Sequence, residues 1–274
     1  MSAGKHRALG PVTWLGERTI SIIDSVGTTS LLLFQVVRAI PETLARKPGL
    51  RHGWENLIGQ MRRVGVRAVG IVSLVTFAVG AILTLQLAPI MARYGAEAQA
   101  PVFVTISMLR ELGPLIAAVV LTGFAGASIA AELGTMKVHE EIDALRSHAI
   151  PPLSYLVVPR VLATVVMTLC LVVLANLMGV LGGMVTAMLV MHAAPLLYLQ
   201  RSFEGALPSD LYTGLIKGVV FGLLIGLIAC RMGLGVSKSA RSVGFATTYT
   251  VVATIVALII ADLAVTAVFY AFER

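Results

Sequence analysis

The sequence predicts an all-α, polytopic membrane protein. It has an N-terminal interfacial helix and five transmembrane helices, with the N-terminus cytoplasmic and the C-terminus on the opposite side. Three observations carry the prediction. Of 274 residues, 57% are hydrophobic and 13% charged, about half the charged share of a soluble domain. Five apolar stretches each reach the roughly 20 residues that a helix needs to cross a hydrocarbon core. Lys and Arg are also distributed unevenly between the loops that these stretches define.

Taken in order, the first apolar run is Thr19–Val37. It carries Asp24, Gly27 and the cluster Thr28-Thr29-Ser30, with Arg18 before it and Arg38 after. Like charge at both ends makes a poor span and a better interfacial helix; a sixth span is the alternative. Upstream, Lys5, His6 and Arg7 offer the basic start of a signal peptide. The apolar run begins only near Ile20 and has no A-x-A-like site, so no cleavage is expected. The spans then follow. Ala68–Ala92 and Val161–Met191 are uncharged. Pro101–Ala131 is apolar apart from Arg110 and Glu111, Leu211–Cys230 apart from Lys217, and Ser242–Phe272 apart from Asp262. Cys170 and Cys230 fall inside apolar runs and read as small buried side chains. The organisation expected is a cytoplasmic N-terminus and interfacial helix over 1–61, then one five-span unit over 62–274.

The formal charge of +7 and pI of about 9.8 reflect sidedness rather than nucleic-acid binding. Of the 21 Lys and Arg, Arg110 and Lys217 fall in spans. Arg93, Arg201 and Arg274 fall on one side, and the remaining sixteen on the other. The positive-inside rule makes the richer side cytoplasmic. That places the segment GTMKVHEEIDALRSHAIPP, residues 134–152, in the cytoplasm. Read as a helix over Thr135–Ala149, it puts Val138, Ile142, Leu145 and Ala149 on one face. Glu140, Glu141 and Asp143 lie off that face. Lys137 is within reach of Glu141, and Asp143 of Arg146. Pro151-Pro152 ends the helix. HEEID starts like the zinc signature H-E-x-x-H, but Asp143 stands where the second His belongs and no third ligand is visible. The expected reading is a docking helix between two spans, not a metal site.

Charges inside spans face a cavity or a partner, because lipid cannot solvate them. Arg110 and Glu111 are adjacent in LRELGP, and Pro114 withholds a donor from the Arg110 carbonyl, so a kink is expected there. The two side chains either line a polar pathway or form an ion pair near the outer interface. Lys217 and Asp262 have opposite sign in different spans and are expected to neutralise each other. Gly214, Gly218, Gly222 and Gly226 leave a smooth stripe on which a helix of the same or another subunit packs. No phosphate-binding loop and no nucleophile–base grouping is present, so no cofactor is expected in this chain. No internal repeat points to a secondary transporter.

Three blocks resemble the MlaE/YrbE family of permeases: RELGPLIAAVVLTGFAGASIAAELGTMKVHEEIDAL from Arg110, PPLSYLVVPRVLA from Pro151, and SVGFATTYTVVATIVALIIADLAVTAVFY from Ser242. The resemblance implies a homodimeric permease in the bacterial inner membrane, with a periplasmic C-terminus. Its partners would be cytoplasmic ABC ATPases, which carry ATP and Mg, and a periplasmic MCE-domain protein. Such systems move phospholipids or related lipids between inner and outer membranes and help maintain outer-membrane asymmetry. The resemblance implies that Glu140, Glu141, Asp143 and Leu145 belong to a coupling helix, at about 135–150, seated in the ATPase. It also places Arg110, Glu111, Lys217, Asp262 and Tyr94 near the lipid path. Phe245 and Tyr249 flank ATT where the family often has Arg. An ion-coupled secondary transporter using Arg110, Glu111, Lys217 and Asp262 is the alternative, and an intramembrane enzyme a third.

Overall fold

The computed structural model describes residues 10–45, 50–237 and 239–272. Lys5, His6, Arg7, Arg46, Lys47, Lys238 and Arg274, which enter the signal-peptide and charge readings, lie outside the described residues. Eight helices run through the described residues: α1 (Gly10–Ala45), α2 (Leu50–Arg93), α3 (Glu97–Val138), α4 (Glu141–Ser147), α5 (Leu153–Met191), α6 (Pro195–Gly205), α7 (Pro208–Leu234) and α8 (Ala240–Phe272). Five of them, α2, α3, α5, α7 and α8, are long and apolar enough to cross a bilayer. Each of the five spans predicted from sequence lies within one of these five helices, and each helix continues past its run at one end or both; the run Thr19–Val37 lies in α1.

Helix α1 spans 36 residues, far beyond the apolar run that announces it. Its apolar part, Val26–Pro41, is shorter than a span. Val36 and Ala39 are buried, and Leu32, Leu33 and Ile40 pack beside the core, while Ile20, Ile23, Leu31 and Phe34 face outward. One face therefore rests on the bundle and the other meets the surroundings.

The bundle is centred on α5 and α7. Helix α7 has 67% of its most apolar window buried, against 11% for α8. In lipid, apolar side chains gain little by leaving one hydrocarbon surface for another, so close backbone approach does the packing. Small residues at every fourth position supply it. In α2 the buried row is Ala68, Val72, Thr76, Gly80, Thr84 and Ala88. A Cβ on Gly80 would lie 1.8 Å from the Gly179 carbonyl oxygen, and one on Gly182 would lie 2.0 Å from that of Phe77. Helices α2 and α5 thus touch backbone to backbone. The α7 glycines play the same part inside this chain: Gly222 and Gly226 meet Val165 and Thr164 of α5, and Gly214 meets the Leu109 carbonyl of α3.

Just before Pro114 helix α3 contains a π segment, Met108–Leu112, in which the Gly113 N–H donates to the Met108 carbonyl. A wide turn adjusts the ladder just where proline withholds its donor. A correction concerns the charged segment. It is not one helix over Thr135–Ala149. Helix α3 ends at Val138, Glu140 adopts φ 60° and ψ 15°, and α4 begins at Glu141. Ala149 closes α4 with φ 57°. These left-handed residues, each costing on the order of 1 kcal/mol, swing α4 off the axis of α3. Ile142 is thereby buried and Leu145 packs on the core, as the face predicted, but Ala149 is exposed.

An intramembrane charge group and a short exposed helix

Lys217 lies nine residues into α7, about 14 Å along the axis from Pro208, well inside that apolar helix. It is 0% exposed. Its Nζ donates to Glu111 Oε2 at 2.5 Å and to Thr266 Oγ1 at 2.8 Å, and sits 2.7 Å from Asp262 Oδ1. Thr266 in turn donates to Glu111 Oε1 at 3.1 Å. A compact ammonium with three donors suits such a setting. The expected pairing of Lys217 with Asp262 is present, and Glu111 joins it from α3.

Asp262 and Thr266 reach this point because α8 presents one row to the bundle. Thr250, Thr254 and Leu258 are its buried residues, and Asp262 and Thr266 continue the same spacing of four. Glu111 reaches it because Gly214, one turn from Lys217, lets the π segment approach α7 with a backbone carbonyl.

Arg110 and Glu111 do not pair with each other, contrary to one sequence reading. Consecutive residues on a helix point apart, and both partners lie on α7. Arg110 Nε sits 3.1 Å from Asp210 Oδ1, and Glu111 takes Lys217. Asp210 and Lys217 are seven residues apart, two turns on one face. Asp210 also accepts a hydrogen bond from the Leu207 N–H at 2.9 Å and so caps the first turn of α7. Sequence reasoning passed over it. The signal was Leu207-Pro208-Ser209-Asp210, a helix start with proline at the first position and a carboxylate at the third.

The group is not sealed. The Glu111 and Arg110 side chains are 39% and 30% exposed. Tyr94 caps the far end of α2 and is 81% exposed. Among the described residues no hydrogen bond or ion pair joins it to the charges.

At the α4 end of the bundle stands a second group. Glu132 Oε1 accepts from Arg63 at 3.1 Å and lies 3.0 Å from Arg160 Nη2. Glu132 is therefore a bridge across α2, α3 and α5. Lys137 does not pair with Glu141; its Nζ donates to the Leu234 carbonyl at the end of α7. The last carbonyls of a helix lack intrahelical partners and carry partial negative charge, so a cation settles there. Asp143 and Arg146 do pair, at 3.2 Å. On α4, Glu140, Glu141 and Asp143 are exposed, while Leu145 is partly buried.

The comparisons agree with this architecture. A family model described as permease MlaE matches residues 57–268. A probable ABC transporter permease protein of Rickettsia felis is 36% identical over 256 residues, covering 93% of this chain and 96% of the relative. The chloroplastic trigalactosyldiacylglycerol 1 protein of Arabidopsis thaliana is 30% identical over 79% of this chain and 62% of its own length. The intermembrane phospholipid transport system permease protein MlaE of Haemophilus influenzae is 29% identical over 94% of this chain and 97% of its own. With five apolar helices and a family match over most of its length, the chain belongs to the MlaE permease family and is a multi-pass inner-membrane ABC transporter permease.

Proposed function

We propose that the chain is the membrane subunit of an assembly that moves phospholipids or related lipids between inner and outer membranes, and so helps maintain outer-membrane lipid asymmetry. The observation that supports this reading is the partial exposure of Arg110 and Glu111, charged side chains carried by an apolar, span-length helix. Charges there do not face lipid tails; they face a polar cavity or a second copy of the chain. In a homodimer, two such openings line one cavity. Arg110, Glu111, Lys217 and Asp262 then attend the headgroup, with Tyr94 at the outer end of the path. Acyl chains lie on the aliphatic faces of α2 and α8. The printed name of the Haemophilus influenzae relative supports phospholipid as the cargo.

On this reading the chain does no covalent chemistry and holds no cofactor. ATP and Mg belong to a cytoplasmic ABC ATPase, and a periplasmic MCE-domain protein stands on the other side. On this reading α4 lies in the cytoplasm and α6 in the periplasm, which the bias of basic residues supports. Residues 1–61 form the cytoplasmic N-terminus and elbow helix, and 62–274 the permease unit. Glu140, Glu141, Asp143 and Leu145 are the handle that the ATPase grips. Replacing both glutamates, Glu140→Lys with Glu141→Lys, is expected to abolish co-purification of the ATPase from native membranes while the chain still inserts. Undiminished recovery of the ATPase overturns the handle.

One observation favours a second reading, ion-coupled secondary transport: a buried lysine between two carboxylates is also how a proton relay is built. The discriminating measurement is lipid transport by the isolated chain in vesicles under a proton gradient. None is expected without the ATPase.

A further inference from the structure

Helix α1 packs on α5 and α7, while α8 packs on α3 and α7. Between α1 and the first turns of α8 a groove of about 890 Å³ is left. It lies at the same end of the bundle as α4, because its floor is the end of α7 whose carbonyl receives Lys137. Its walls differ along their length. Leu32, Ala246 and Val252 make one part aliphatic. Toward the loop after α7 the lining turns polar, with Ser237 and Ser242. Among the described lining residues two carry formal charge, Arg231 on the α7 floor and Asp24 on the α1 wall, of opposite sign. Arg231 Nη1 also donates to Thr29 Oγ1 at 3.3 Å, which ties α1 to α7 beside the groove.

The aromatic residues complete the picture. Phe245 and Tyr249 are one turn apart on α8, line the groove and are more than half exposed. Arg241 lies 5.7 Å from the Phe245 ring centroid. Aromatic rings of this kind, with arginine above them, sit where hydrocarbon gives way to headgroups. A groove with an oily length, a polar mouth and an aromatic wall matches the cross-section of a lipid. A purely anionic headgroup would meet Asp24 unfavourably, and a purely cationic one Arg231.

We propose that this groove binds a zwitterionic glycerophospholipid of the adjoining leaflet, phosphate toward Arg231 and ammonium toward Asp24, with an acyl chain along Leu32, Ala246 and Val252. The site is separate from the charge group around Lys217. It stands whether or not the assembly carries phospholipid, since it concerns a lipid bound at the bundle's flank.

The test uses the full chain in nanodiscs of phosphatidylethanolamine and phosphatidylglycerol, with each lipid in turn carrying a photoreactive acyl chain. The expected result is labelling of the 240–252 segment, favouring the ethanolamine probe by about two- to fivefold, the size of one partly exposed ion pair. Asp24→Asn is expected to remove that preference while labelling persists. Ala246→Trp, which fills the groove, is expected to remove most of the labelling. Equal labelling by the two probes, or labelling indifferent to Ala246→Trp, overturns the proposal, because the segment then meets only bulk lipid. In native membranes, Phe245→p-benzoylphenylalanine is expected to cross-link lipid. Cross-linking to a protein instead overturns it and assigns the groove to a partner helix.

Discussion

Glu111 and Glu132 lie on one helix, α3, and each holds three helices together, yet the two groups are built in opposite senses. In one, a single cation, Lys217, is held by two carboxylates from α3 and α8. At the α4 end a single carboxylate, Glu132, is held by two arginines from α2 and α5. In the first, the central ion Lys217 is fully buried and Glu111 beside it is partly exposed. In the second, Glu132 and Arg63 reach the surface and only Arg160 is enclosed. A buried ion has no water to fall back on, so its partners are obligatory. An ion at the bundle's end exchanges protein partners for water at little cost. Loss of a partner is therefore expected to cost more in the Lys217 group, which joins α3, α7 and α8, than in the Glu132 group, which joins α2, α3 and α5.

That contrast is open to measurement. Cys230 is buried as expected, whereas Cys170, expected to be buried, is exposed on α5; the reaction of Cys230 with a thiol dye on heating therefore reports unfolding once Cys170 is replaced by serine. The largest effect is expected from Lys217→Ala, which leaves Glu111 and Asp262 facing each other, about 3–5 kcal/mol. The triple change Lys217→Met, Glu111→Gln, Asp262→Asn is expected to recover most of it. Failure of that recovery would mean that packing, not charge, dominates there. Gly214→Leu comes next, about 1–3 kcal/mol, because its side chain must displace the Leu109 carbonyl and the π segment behind it. Glu132→Gln is expected to cost about 1 kcal/mol, reduced by solvent screening of Arg63. A loss as large as that of Lys217→Ala would erase the distinction drawn between the groups. Asp143→Ala, which breaks an exposed pair on α4, is expected to change stability by less than about 0.5 kcal/mol.

Much of the architecture was legible because lipid leaves the sequence few choices. An uncharged run of 25 residues between two arginines has little to do but span, and a lone Lys217 and a lone Asp262 in separate runs must find each other. The partner of Arg110 was not legible. Asp210 lies just outside its apolar run, where a carboxylate reads as an ordinary first-turn residue, and adjacency made Glu111 look like the natural mate. The break at Glu140 was hidden for a different reason. Glutamate is a good helix former, and nothing local announces that burying Ile142 requires a left-handed turn before it. Glu132 and Arg160 were missed as partners because 28 residues and a change of direction separate them. Only the packing of α3 on α5 closes that distance.

The seam between α2 and α5 has a mechanical consequence. Where the Gly80 Cα lies against Gly179 and the Gly182 Cα against Phe77, no side chains separate the two backbones, so there is no compressible layer through which one rod could slide past the other. The pair behaves as a single girder. Helix α8, with Thr250, Thr254 and Leu258 as its buried residues, is the least enclosed of the five long helices and so the member freest to shift against that girder.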